Sequence, residues 1–292
     1  MSKNESACIA PRRPALRYHG GKWRLAKWII ANMPEHRIYV EPFCGAASVL
    51  LQKPRVFGEI INDLDGEVVN FFQVLRDPVS SDRLRHLLIH TPYARAEFES
   101  ASLQSDDPIE QARRTVVKSF MGFSSGAICK ANDGMRTRAS TWIAPTGFRG
   151  DAKRRGTTPA TDWAGYPNNI DTLSNRLRGV VIENRPAINI IQCHDDAETL
   201  FYVDPPYVHG TRKLSAGYRH EMTDLEHEEL SHALHSVKGM VMISGYTSEL
   251  YNRLYADWNC IVRDHLADHA RNTVECLWFS PNIKTIQNGL GL

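Results

Sequence analysis

Apolar positions along the chain switch repeatedly between a helical and an extended period. Residues 22–33 place Leu25, Trp28, Ile29 and Met33 on one helical face. Residues 37–40 predict a short strand. The chain then passes through a tight turn at Gly45 into an apolar helix with Val49, Leu50 and Leu51. Residues 56–61 predict a second strand ending at Asn62-Asp63, and 65–76 a further helix. Beyond a long interruption, 179–183 and 199–203 read as strands. Thr223 and Glu226 have capping-box spacing and open a helix through Leu230, Ala233, Leu234 and Val237. Residues 239–244 form another strand and 276–279 the last. Strands that alternate with helices predict an α/β fold, a mostly parallel sheet covered on both faces. No internal repeat or long low-complexity tract interrupts it.

Composition narrows the class without naming a function. A chain of 292 residues exceeds an average domain, so one large α/β domain with an inserted subdomain is expected. Hydrophobic content of 42% and charged content of 23% suit a globular protein with a sizeable core. No apolar stretch approaches the ~18 residues of a transmembrane helix, and the polar start of the chain does not read as a signal peptide. Six scattered cysteines without a C-x-x-C pair argue against zinc and against a disulfide framework, and fit a reducing cytoplasm. His265 and His269, near Asp264 and Asp268, lack a third strong ligand signal and read as solvated residues, so no metal is expected.

The formal net charge of +2 hides an uneven distribution. Between positions 110 and 155 the chain carries ten basic residues against three acids, interleaved with Phe120, Phe123, Trp142 and Phe148. Basic and aromatic side chains on a loop-rich stretch suit phosphate and base contacts. A locally basic solvated surface is the plain alternative.

The sharpest chemical signal is Phe201-Tyr202-Val203-Asp204-Pro205-Pro206-Tyr207. Neither proline can donate to a ladder, so the strand stops at Asp204. The stiff backbone that follows presents a carboxylate, fixed carbonyl oxygens and the Tyr207 ring at a strand tip, where open α/β sheets bind ligands. Acceptors beside a flat ring suit a planar group bearing an amine, such as a nucleobase. Upstream, the turn at Gly45 lets a ligand approach the backbone, and Asp63 follows at about the spacing where an acid meets ribose hydroxyls. A three-glycine fingerprint is absent, which favours a smaller adenosine-bearing ligand over a dinucleotide. Tyr18-His19-Gly20-Gly21-Lys22 adds an aromatic ring and an ammonium around two glycines, able to close over a cofactor with a carboxylate.

In order along the chain, Tyr18-His19-Gly20-Gly21-Lys22, the stretch from Val40 through Glu41-Pro42-Phe43-Cys44-Gly45 to Leu50, Ile61-Asn62-Asp63 and Tyr202-Val203-Asp204-Pro205-Pro206-Tyr207 resemble the motifs of Dam-like adenine-N6 DNA methyltransferases. The resemblance runs from about residue 16 to 282 and is closest to the small enzymes of phages and prophages. It implies a Rossmann-like methyltransferase domain over 14–76 and 179–283, and a mainly helical and loop DNA-recognition subdomain over 77–178. It implies S-adenosylmethionine as methyl donor, with Tyr18, Lys22, Gly45 and Asp63 at the cofactor. Asp204 and the Pro205 carbonyl would accept the hydrogens of the target amine, and Tyr207 would stack on the flipped adenine. The partner implied is double-stranded DNA, bound by a cytoplasmic monomer or weak dimer without metal or membrane. Within the basic stretch, Arg136, Arg138, Arg149 and Lys153-Arg154-Arg155 are the candidates for phosphate or guanine contacts. Two positions depart from the family pattern. Tyr18 stands where tryptophan is frequent. Pro186, eighteen residues before Asp204, stands where an acid near the donor's adenine is frequent, a place Asp195 could fill. The alternatives are an enzyme of this fold acting on RNA adenine or a protein amide, a catalytically silent DNA-binding homologue, and an unrelated nucleotide-binding α/β enzyme.

Overall fold

The computed structural model of the chain describes residues 10–122, 147–150, 156–208, 219–267 and 271–284. The chain divides into two compact units. One comprises Met1–Trp23, Asp65–Arg178 and Gly217–Arg219, the other Arg24–Leu64, Gly179–Ala216 and His220–Leu292. The helices are α1 (Ala26–Ala31), α2 (Gly66–Arg76), α3 (Pro78–His90), α4 (Arg95–Ser100), α5 (Pro108–Met121), α6 (Pro159–Ala164), α7 (Ile170–Leu177), α8 (Ala187–Cys193), α9 (Asp224–Ser236) and α10 (Glu249–Leu254).

Among the described residues the strands lie in the second unit: β1 (Ile38–Glu41), β2 (Gly58–Asn62), β3 (Val180–Glu183), β4 (Thr199–Val203), β5 (Met240–Gly245), β6 (Asn259–Ala267) and β7 (Arg271–Phe279). They form one seven-stranded sheet in the order β3-β2-β1-β4-β5-β7-β6. The first five run parallel, and β7 is antiparallel to both β5 and β6. This is the mostly parallel sheet expected of a Rossmann-like α/β fold, closed by an antiparallel hairpin. Every residue of β4 is buried, as its unbroken apolar run requires of a central parallel strand. One core joins Phe201, Val203, Leu230, Leu234, Val241 and Ile243 with Tyr251, Tyr255 and Trp278.

The predicted helices and strands recur with small shifts at their ends, and the Thr223 capping box forms in full. Three local expectations are corrected. The helix expected after Gly45 is a run of turns, in which Leu51 N–H reaches Ala47 C=O and Lys53 N–H reaches Val49 C=O without continuous helix. Ala47 has φ of +50°, a left-handed conformation that breaks a right-handed ladder at a cost of roughly 1–2 kcal/mol. Strand β6 has no counterpart among the predicted elements, because Arg263, Asp264 and His265 interrupt its apolar pattern. The last strand begins at Arg271, ahead of the apolar run at 276–279.

The helical unit has a buried ionic knot where α2 meets α5. Asp65 caps α2, and its Oδ1 also receives Arg219 Nη1 at 2.9 Å. Glu67 is bound by Lys118 Nζ from α5, by Arg219 Nη2 at 3.0 Å and by Gln104 Nε2 at 2.9 Å. Burial alone would raise the Glu67 carboxyl, but Lys118 and Arg219 outweigh it and hold the group below its ordinary range. Removing Lys118 strips the buried Glu67 carboxylate of the cation that α5 supplies and leaves it Arg219 and Gln104. Lys118→Met is therefore expected to destabilise this unit by ~3 kcal/mol, read as a lower urea midpoint at unchanged slope; a midpoint equal to wild type would show the pair to be dispensable.

Candidate active site

The strand order places two of the predicted motifs side by side. From β1 the chain adds β2 and β3 on one flank, then crosses to lay β4 on the other, so order reverses between β1 and β4. Ligands of open α/β sheets bind at such a switch point, beyond the strands' carboxyl ends. The turn at Gly45 follows β1 there, and Asp204 follows β4. Register sets Val40 against Phe201, which brings Glu41 level with Tyr202.

Asp204 is half-buried and held from behind. Ser244, fully buried on β5, donates its hydroxyl to Asp204 Oδ1 at 2.8 Å and lies 2.9 Å from the Tyr202 hydroxyl. Pro205 is buried, and Tyr207 is only 7% exposed. The Tyr207 hydroxyl donates to Glu275 Oε1 on β7 at 2.8 Å, and its ring packs against Tyr246 at 4.5 Å between centroids. Three strands thus converge on the two side chains of the Asp-Pro-Pro-Tyr tip.

Gly45 and Asp63 are also joined. Gly45 has φ of +47°, and its N–H donates to Asp63 Oδ2 at 2.8 Å. Behind them, fully buried Asn62 ties three strand tips together. Its Nδ2 donates to the carbonyls of Pro42 and Arg185, each at 2.9 Å, and its Oδ1 accepts Arg185 N–H at 2.9 Å. Asn184 Nδ2 donates to Asp63 C=O at 2.7 Å. Tyr18 and Lys22 lie in the helical unit. There Gly21 N–H closes a turn on Tyr18 C=O at 3.1 Å, Gly20 takes φ of +73°, and the buried Lys22 ammonium donates to Gly20 C=O at 2.9 Å. The positive φ at the third turn position is what a type II turn demands, and glycine meets it without strain.

Asp195 does not replace the acid missing at Pro186. Its Oδ1 accepts the N–H groups of Lys238 and Gly239, at 2.8 and 3.0 Å, immediately before β5. It therefore sits where β4 and β5 begin, at the opposite end of the sheet from Asp204. Of the basic candidates, Arg149 is within the described residues; Arg136, Arg138, Lys153, Arg154 and Arg155 lie outside them.

A family model described as D12 class N6 adenine-specific DNA methyltransferase matches residues 18–107 and 160–268, more than half of the chain. The chain belongs to this family. The DNA adenine methylases of two Vibrio cholerae serotype O1 strains, Classical Ogawa and El Tor Inaba, are each 35% identical to it over 65 residues. That stretch is 22% of this chain and 23% of those relatives' length. Four polar residues around the candidate site escaped the sequence reading as contributors: Glu41, Asn62, Ser244 and Glu275. Glu41 and Asn62 stand inside the recognised motifs, and their polarity at the end of an apolar strand was the available signal. Ser244 and Glu275 acquire meaning only once β5 and β7 are placed beside β4.

The Glu41 carboxyl is fully buried. Burial, opposed by the Tyr39 hydroxyl at 3.0 Å and reinforced by Asp204, pushes its carboxyl up to about 8. The Leu50 N–H also donates to it, at 3.3 Å. At neutral pH the group is protonated, so one fewer negative charge lies beneath Asp204. A carboxyl raised on folding keeps a proton that the unfolded chain has lost, so between pH 4.5 and 8 stability falls as pH rises. The slope is up to ~1.4 kcal/mol per pH unit for one such proton. Glu41→Gln is expected to flatten this dependence, measured as urea unfolding at pH 5.5 and 7.5; equal slopes in the two proteins would contradict the assignment.

Proposed function

We propose that the chain is a site-specific DNA adenine-N6 methyltransferase, moving a methyl group from S-adenosylmethionine to the exocyclic amine of an adenine flipped out of duplex DNA. The observation that carries this reading is the tethered Asp204 carboxylate at the sheet's switch point, within a chain of the D12 family. An adenine amine is a weak nucleophile because its lone pair is delocalised into the ring. Asp204 and the Pro205 carbonyl would accept hydrogen bonds from its two N–H groups and favour a tetrahedral nitrogen, whose lone pair is then free to attack the donor methyl in line. The methyl–sulfur bond breaks as the nitrogen–carbon bond forms, a neutral thioether leaves, and one N–H proton is lost to solvent past Asp204. Orientation of this kind supplies ~7–11 kcal/mol of such a barrier. No bond to the chain forms.

S-adenosylmethionine, when bound, supplies an electrophilic methyl group on a sulfonium centre. The donor set of the sheet unit fits it: the Asp63 carboxylate suits a ribose diol, and the turn at Gly45 lets a ligand approach the backbone. Tyr18 and Lys22 are assigned to the cofactor on their motif. Tyr207 is the ring assigned to the flipped base, with Tyr246 extending the aromatic wall. Unstacking the base costs a few kcal/mol, which that contact partly offsets. Residues 77–178 are assigned to DNA recognition.

The test is transfer of label from S-adenosylmethionine to unmethylated duplex DNA, followed by digestion to nucleosides. Label in N6-methyladenine is expected, and Asp204→Ala should lower it by at least ~10²–10³-fold while retaining DNA binding. Near-normal turnover in that variant would sink the assignment, and label in RNA or protein instead would redirect it. Ser244→Ala should slow turnover by roughly 10-fold, one hydrogen bond's worth, without changing the affinity for DNA. An unchanged rate would show that Asp204 needs no tether.

A further inference from the structure

Strand β7 carries one side chain that its place in the core does not call for. Cys276, Leu277, Trp278 and Phe279 are buried, and Glu275 beside them is only 1% exposed. A leucine there would continue the apolar run. A carboxylate taken out of water costs free energy unless it is bonded. Departures of this kind from the local pattern gather at functional sites, where something other than the fold requires them.

What Glu275 holds is the ring of the Asp-Pro-Pro-Tyr tip. Its Oε1 accepts the Tyr207 hydroxyl at 2.8 Å, and both residues are buried. The near end of the ring hangs from the backbone that Pro205 and Pro206 stiffen. A tyrosine fixed at its backbone alone still hops between side-chain rotamers. The hydroxyl lies on the ring's own axis, so a bond to it fixes where the ring can swing. Pairing of Gly245 with Cys276 sets Glu275 beside the end of β5, from which Tyr246 follows. The Tyr246 ring lies 4.5 Å from that of Tyr207 and leans at 55° to it, which limits the spin of Tyr207 about that axis.

We propose that Glu275 is a positioning residue for methyl transfer, which acts by holding Tyr207 as a fixed platform for the target base. This deepens the methyltransferase reading above and rests on it. Glu275 acts through the ring and takes no part in the bond changes. A platform free to swing lets the base drift, and with it the amine that must meet Asp204 and the Pro205 carbonyl together. Small displacements in such a geometry are costly to rate. The loss therefore falls on turnover and not on affinity for DNA.

The experiment compares the full chain with Glu275→Leu, Glu275→Gln, Tyr207→Phe and the double variant Tyr207→Phe/Glu275→Leu. It measures kcat and KM for methylation of duplex DNA, with urea midpoints alongside. Glu275→Leu should lower kcat roughly 10-fold, leave KM for DNA unchanged and keep a midpoint at or above wild type. Glu275→Gln retains an acceptor and should restore most of the rate. Tyr207→Phe keeps the ring and loses the same bond, so it should match Glu275→Leu, and the double variant should be no slower than either. Wild-type kcat in Glu275→Leu or Tyr207→Phe, losses that multiply in the double variant, or a Gln variant as slow as the Leu variant each overturn the positioning role. In those cases a wild-type chain that methylates adenine leaves the methyltransferase reading intact. A wild-type chain that methylates no adenine overturns both.

Discussion

The constraint on which the sheet unit turns is the pair of prolines after Asp204. A parallel strand buried on both faces would otherwise continue its ladder, and β4 is flanked by partners on either side. Without N–H groups at 205 and 206 the pairing ends, and the backbone leaves the sheet at the point where strand order reverses. One carboxylate is thereby delivered to a cleft that the topology makes in any case. The neighbouring strands then fix its surroundings: β5 contributes Ser244, β1 Glu41 and β7 Glu275.

Charge is managed differently in the two units. Beneath Asp204 a second carboxyl is tolerated because burial keeps Glu41 neutral at physiological pH, so two acids close together do not both ionise. In the helical unit Lys118 and Arg219 hold the Glu67 carboxyl below its ordinary range, and Arg219 also pairs with Asp65. A third pair, Lys53 with Glu59 at 2.9 Å, is buried beside β1, with the ammonium 4.6 Å from the Tyr39 ring.

Much of the sheet was legible because central parallel strands are continuous apolar runs; β1, β2, β4 and β5 announced themselves in this way. Strand β6 did not, since an edge strand paired on one side tolerates charged residues. The turn run after Gly45 was read as helix because alanine gives no sign of a left-handed conformation. Of the candidate site, Gly45, Asp63, Asp204 and Tyr207 were visible as local motifs, with glycine, acid and proline chemistry fixed by neighbours in sequence. Ser244 and Glu275 were not, because a serine or glutamate in a strand has no function until another strand lies beside it.

The position of β7 has a consequence for the order in which the molecule is made. Strand β6 leaves the ribosome before β7, yet among the described strands its partner in the sheet is β7, which inserts between it and β5. A nascent chain that has completed β6 therefore carries a strand with no place to dock, however well the parallel part has formed. Glu275, which holds Tyr207, arrives on that same late strand. Synthesis consequently delivers Asp204 early and its finished surroundings late, so a partly made chain lacks the constellation that the completed sheet provides.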